Sequence, residues 1–336
     1  MLRKGTFILM KTKIQDMTSG SPGRLIILFA IPLMLGNICQ QLYTMVDTMV
    51  VGQIAGVEAL AALGAVDFLM WVVTGISTGL TQGFSIQLSQ YYGAKDFENL
   101  RKSLAHSYRL TAFIAAGVLI LSQLFASLVL TGLHTPSNII GMSLLYLRII
   151  FCGIPATAAY NMFASALRAM GNSKTPLTAM IIASVLNVSL DILFVAGFGW
   201  GVAGAAIATV IAQSFSAVYC FLILRRIDIV HLTRADFMPA SGMNVRLMKL
   251  GIPVVFQNII IGVGGLVVQY VINGYGFLFV AGFTAANKLY GVLEMASVSY
   301  GYAITTYVGQ NLGAKKYRRI RNGVRSGVYM ALITSI

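Results

Sequence analysis

The chain has 336 residues, 57% of them hydrophobic and only 10% charged, with a mean hydropathy of +0.79 and a formal net charge of +14. A water-soluble domain carries about 25% charged residues, so this composition excludes one and predicts a chain solvated by lipid. The excess positive charge would suggest nucleic acid in a soluble protein; here its placement along the chain decides.

A bilayer-spanning helix needs roughly 20 mostly apolar residues. Eight such runs lie near 25–51, 59–89, 104–131, 142–166, 177–197, 201–224, 248–273 and 279–308, and a ninth begins near Gly323 and reaches Ile336. The fold class expected is all-α, with polytopic transmembrane helices. Residues 1–23 precede the first run, with no small-residue cleavage site and so no expected removable signal peptide. Residues 24–224 form a first six-helix lobe, 225–247 a polar inter-lobe linker and 248–336 an incomplete second lobe.

If the N-terminus is cytoplasmic, the inside segments hold 22 of the 24 Lys and Arg residues and the outside turns hold none. Arg148 and Lys288 fall within predicted helices. This asymmetry orients a multi-pass protein in the cell membrane and accounts for the charge without nucleic acid.

The chain also repeats. Ile31-Pro32 recurs as Ile252-Pro253, and Gln90, Gly93-Ala94-Lys95 and Arg101 recur as Gln310, Gly313-Ala314-Lys315 and Arg321, offset by 221 and 220 residues. An even number of helices separates the copies, which makes the repeat parallel, about an axis along the membrane normal. A second copy of full length would need three to four helices beyond those present.

Carboxylates at membrane depth cost about 2.5–3.5 kcal/mol each on insertion scales and so call for a role. Asn37, Gln40, Thr44 and Asp47 follow helical steps along one face, widened by Gln41 and Thr48. Pro32 in the same run is positioned to bend the helix. Asn187 lies one turn before Asp191. If Asp47 and Asp191 meet, they make with an amide and a hydroxyl an all-oxygen cage suited to Na⁺, or to H⁺ if one carboxyl holds a proton. Asp67, beside Trp71, reads as an interfacial residue or as part of a site; Lys288 and Glu294 do not share a face, and each either pairs elsewhere or lines a second-half cavity. Gly201, Ala205 and Thr209, with Gly204, Ala208 and Ala212, form rows of small residues suited to close helix packing. His106, His134 and His231 lie in or beside turns and read as solvated. No enzymatic motif emerges, so an enzyme is not expected; an intramembrane aspartyl protease would need a Gly-x-Gly before Asp191.

Ala30-Ile31-Pro32-Leu33-Met34, the segment Gln41 to Thr48, Leu186-Asn187 to Asp191, Gly204-Ala205-Ala206 with Ala208-Thr209, and the two Gly-Ala-Lys loops resemble the multidrug and toxic compound extrusion (MATE) family. The resemblance covers essentially the whole chain after Met17. It implies twelve helices in two V-shaped lobes and export of cationic or amphipathic drugs in exchange for Na⁺ or H⁺, with no other cofactor and as a monomer. It also implies a first-lobe coupling site at Asp47, Asn187, Asp191 and Thr209, the first three being ligands if the ion is Na⁺. Bending at Pro32 and cavity-lining roles for Gln41 and Asn161 follow from it too, and Asn37 on the polar stripe joins them. The branch with a helix-7 glutamate is disfavoured, because Pro253 to Gln269 carries no acid. A flippase for lipid-linked sugars, of related architecture, is the nearer alternative.

Overall fold

The computed structural model describes residues 14–335. Ten α-helices follow one another: α1 (Pro22–Ile54), α2 (Val57–Gly93), α3 (Phe97–Gly132), α4 (Ile140–Cys152), α5 (Ile154–Ala169), α6 (Lys174–Asp191), α7 (Gly201–Leu224), α8 (Met243–Asn273), α9 (Phe277–Gly313) and α10 (Tyr317–Ser335). Among the described residues there is no strand. Among the described residues six helices, counting the α6 segment as Lys174–Gly197, are long and apolar enough to cross a membrane, and a seventh is reached if α4 and α5, bent by 48°, count as one span. The connections 55–56, 133–139, 198–200 and 274–276 contain no Lys or Arg and define a charge-poor end; the opposite end is basic.

The bend between α4 and α5 departs from the single run expected over 142–166. Its cause is local. Pro155 has no amide hydrogen to donate into the preceding turn and stands in the first turn of α5. Gly153 before it packs so tightly that a Cβ there would meet Val210 at 2.6 Å. A second irregularity follows α6 directly: Ile192–Gly197 forms a π-helical turn. Wide turns of this kind redirect the side chains on either side and recur at functional sites. The polar linker is also shorter than expected, because α8 begins at Met243. Gly242, at φ 74°, opens that helix, and Met243 and Leu247 bury themselves on its first turns.

The connector 225–242 is tied back to α3. Arg101 lies 3.8 Å from Asp236, Arg109 donates to the Phe237 carbonyl at 3.0 Å, and the His106 ring meets Asn244 Oδ1 at 2.7 Å. His106 is therefore buried rather than solvated; His134 and His231 are exposed.

The two copies of the repeat meet along α2 and α9. Equivalent residues touch: a Cβ on Gly64 would fall on Thr284, one on Gly309 on Ser89, one on Gly93 on the Gln310 carbonyl, and one on Gly313 on the Gln90 carbonyl. Each pair joins a position to its own counterpart or exchanges partners reciprocally, as a two-fold axis between α2 and α9 requires. The backbone repeats as well: Gly56 and Gly276 open α2 and α9 at φ 94° and 86°, and Lys95 and Lys315 turn the chain at φ 59° and 58°. On the other face of α2, Gly79 and Gly83 let α8 approach backbone to backbone at Val255 and Gly251. Without a hydrophobic drive between helices in lipid, such close contact is what holds them.

The segment before α1 strengthens the basic end. Met17 is fully buried, its amide donates to Gln310 Oε1 at 3.0 Å, and Asn311 Nδ2 donates to its carbonyl at 2.9 Å. Burial of Asp16 would raise its carboxyl pKa, but hydrogen bonds from Thr18 and Ser19 and the Lys316 charge outweigh it and lower the value.

Gly83→Val should destabilise the protein by about 1–3 kcal/mol, the usual cost of overpacking, because its Cβ has only the Gly251 backbone to displace. Gly117→Ala on α3, with nothing within 4 Å of the new Cβ, should leave stability unchanged or raised. Thermal unfolding in detergent measures both.

Candidate functional site

The polar stripe of α1 faces a cavity of about 320 Å³ enclosed by α1, α2, α4, α5 and α7. That volume is at the small end of ligand pockets. Asn37, Gln40, Thr44, Asp47 and Thr48 line it from α1, as the 3.6-residue period places them. Asn161 lines it from α5 and donates to Thr78 Oγ1 at 3.2 Å. Gln41 does not line this cavity: its amide lies against Gly291 of α9, a one-residue step that turns it from the first lobe toward the second. Pro32 lies inside α1, which runs through it as one helix.

Asp47 is 5% exposed, Asn187 and Asp191 not at all. Asn187 Nδ2 donates to Asp191 Oδ2 at 3.1 Å and its Oδ1 accepts from the Thr209 amide at 3.3 Å. The small-residue rows of α7 make this possible, since Ala205, Ala208 and Ala212 are buried and let α6 and α7 pack closely. Thr209 itself reaches the cavity wall. Asp191 is the last residue of α6, where the π-turn begins. Among the described residues, its Oδ1 is buried with no hydrogen-bond partner. The charges of Asp47 and Asp191 are close enough to act on one another. Asp47 and Thr209 line the cavity, whereas Asn187 and Asp191 do not; Asp191 lies within electrostatic reach of Asp47, although these residues come from segments up to 162 positions apart. This donor set fits a small hard cation or a proton.

Three further residues complete the site. Asp67 lines the cavity from α2 rather than sitting at an interface. Tyr146 is buried on α4 within electrostatic reach of Asp47, Asp67 and Asp191. Tyr43, one turn before Asp47, accepts a hydrogen bond from Gln213 Nε2 at 3.1 Å. At the basic end of the cavity stands Arg168, in the last turn of α5. The sequence reading counts it as a loop charge. Its guanidinium lies 4.8 Å from the ring centre of Tyr302 on α9, and nearby Asn37 Nδ2 donates to Ser299 Oγ at 3.1 Å. Asn37 and Asp47 are ten residues apart on one helix, about 15 Å at 1.5 Å per residue. The acids and the arginine thus occupy opposite ends. Glu294 is exposed on α9; the side chain of Lys288 lies outside the described residues.

The family model MatE matches residues 32–193 and 253–336. The chain belongs to the MatE family. Among MatE relatives, the "Probable multidrug resistance protein YpnP" of Bacillus subtilis (strain 168) is 31% identical over 308 residues, covering 92% of this chain and 69% of the relative. The "Multidrug export protein MepA" of Staphylococcus saprophyticus is 23% identical over 293 residues, covering 86% and 64%. The fold matches the outward-facing conformation of a multidrug resistance MATE family transporter of the MOP superfamily. That match has a TM-score of 0.87 at 23% identity, covering 96% of this chain and 72% of the other. It matches a MATE protein in the straight conformation with a TM-score of 0.85 at 23% identity, covering 96% and 73%. The fold is thus that of the MATE transporters, and both copies of the repeat fall within the family match.

Tyr43→Phe should cost about 1–3 kcal/mol of stability, because it strands the buried Gln213 amide. Tyr43→Phe combined with Gln213→Leu should recover most of that loss, which paired thermal unfolding curves would read.

Proposed function

We propose that this MATE protein is a secondary multidrug exporter, carrying cationic or amphipathic compounds out of the cell in exchange for Na⁺ or H⁺ by alternating access. The observation that carries the reading is Asp47 at the acidic end of a cavity sized for a small organic molecule, with the buried Asp191, from a helix far away in the chain, within its electrostatic reach. The basic end faces the cytoplasm, as the distribution of Lys and Arg favours. Asp47, Asp191 and Thr209 supply oxygens to the coupling ion, and Asn187 orients Asp191. Asn37 and Asn161 contact substrate on the cavity wall, and Gln41 does so from the side of α1 that faces α9. Binding of the ion neutralises the carboxylates and lowers the cost of keeping them out of water. That shifts α1, with its bend point at Pro32, between two packings. A membrane potential contributes about 2.3 kcal/mol per charge per 100 mV to such a cycle.

A flippase for lipid-linked sugars would need a cationic cavity to hold a pyrophosphate. Among the described residues this cavity offers Arg168 against Asp47 and Asp67, which favours a cationic cargo.

Asp47→Asn and Asp191→Asn should each reduce ethidium efflux from proteoliposomes at least about tenfold, a loss of about 1.4 kcal/mol or more in the coupled step. Unchanged efflux in both variants would overturn the reading. Efflux compared with and without Na⁺ at fixed pH separates the two coupling ions.

A further inference from the structure

Arg148 is a described cation inside a predicted membrane span, and the proposed function leaves it unused. It lies on α4, on the outside of the first lobe, and is exposed. It borders a groove of about 630 Å³ between α3 and α4, whose walls include Leu119, Ile120 and Leu124. Ile120 and Leu124 are 58% and 70% exposed, as are similar residues along the rest of α3, so this face meets lipid chains. Arg148 stands eight residues into α4 from its charge-poor end, about 12 Å below it at 1.5 Å per residue, where an unpaired guanidinium is costly. Among the described residues, no ion pair and no ring contact includes it.

The groove is nevertheless built around it. Gln123 Nε2 reaches across from α3, donating to the Arg148 carbonyl at 2.8 Å and lying 3.4 Å from Cys152 Sγ. This contact, made to the Arg148 backbone, fixes α4 against α3, and the Arg148 side chain lines a groove that is otherwise almost wholly apolar. An occupant must therefore bring an anion to Arg148 and hydrocarbon to the leucines. A free inorganic anion meets the first demand and not the second. A phospholipid meets both, and guanidinium binds phosphate oxygens through paired, charge-assisted hydrogen bonds.

We propose that the α3–α4 groove binds an anionic phospholipid, its phosphate on Arg148 and an acyl chain along Leu119 and Leu124. The site belongs to the leaflet at the charge-poor end, away from the basic residues that draw anionic lipid to the other end.

The two native tryptophans, Trp71 and Trp200, allow a local readout. A Trp71→Phe/Trp200→Phe protein carrying Ile120→Trp has its single fluorophore on the groove. In dioleoylphosphatidylcholine bilayers, brominated phosphatidylglycerol should quench it with an apparent affinity about three- to tenfold above that of brominated phosphatidylcholine, a difference of up to about 1.4 kcal/mol. Arg148→Gln should bring the ratio to one, and Arg148→Lys should retain a preference, which separates loss of the charge from loss of the fold. Equal quenching with Arg148 in place, or a preference surviving Arg148→Gln, overturns the proposal. So does quenching by neither lipid with disulfide-linked dimers forming through Cys152, since a second copy then fills the groove.

Discussion

A lipid environment offers no hydrogen-bond partners, so a polar group within the helical bundle must find one inside the protein. That constraint organises the first lobe. Asp191 cannot be solvated from outside, and Asn187 one turn earlier holds one of its oxygens while α7 presents Thr209 to the same amide. Tyr43 and Gln213 answer one another across α1 and α7. Thr78 and Asn161 do so across α2 and α5. Each pair fixes the rotation of two helices, because a helix turned by one residue would carry its polar group away by about 100°. The stripe on α1 and the close packing of α6 on α7 are in this sense one feature, imposed by a shared need for partners.

The second lobe is attached by a different means. Along α2, small residues remove the side chains that would keep backbones apart, and α8 and α9 come in against them. The contacts at Gly64 with Thr284 and at Ser89 with Gly309 lie on the pseudo-symmetry axis, where a residue meets its own counterpart. Two bulky side chains there would collide. One member of each pair is a glycine, and the other is a small hydroxyl residue that folds back onto its own helix: Thr284 Oγ1 donates to the Val280 carbonyl at 2.7 Å and Ser89 Oγ to Ile86 at 2.8 Å. The hydroxyl is satisfied locally, so the axis needs no polar partner across it.

What the sequence disclosed of this arrangement depended on whether the signal was local. The apolar runs, the charge asymmetry and the repeat are periodic or compositional, and they anticipated the helical fold; the family followed from the resemblance of separate motifs. The α1 stripe followed from helical spacing alone. Asp67 stayed open between an interface and a site because its neighbour Trp71 resembles an interfacial anchor; its place on the cavity wall depends on the position of α2 beside α1, a long-range fact. Arg168 falls just beyond the fourth apolar run, which ends near residue 166, and so counts among the basic residues between helices; only the packing of Tyr302 from α9 shows that its guanidinium caps a cavity. His106 was read as solvated because nothing nearby in sequence reveals that the 225–242 connector folds over α3. The break at Gly153 had a local cue in Pro155, one that an uninterrupted apolar run concealed.

The cavity is polarised along its length, and this bears on how its two ends can act. Acids gather toward the charge-poor end; Arg168 and the contacts of Tyr302 and Ser299 close the basic end. Those closing contacts bridge the lobes, so the basic mouth cannot widen without separating α9 from α1 and α5. A partly exposed cation–π contact contributes about 0.5–2 kcal/mol and a neutral hydrogen bond about 0.5–1.5 kcal/mol. Together they resist opening by about 1–3 kcal/mol. One charge moved through 100 mV supplies about 2.3 kcal/mol, which is the same size. A closure of that strength holds against thermal fluctuation, for which RT is about 0.6 kcal/mol, yet lies within what a single ion would supply under the proposed exchange. A buried carboxylate pairing with Arg168 would be far harder to part. Placing a tyrosine ring under the guanidinium, with the acids at the other end of the cavity, keeps the mouth both closed and releasable.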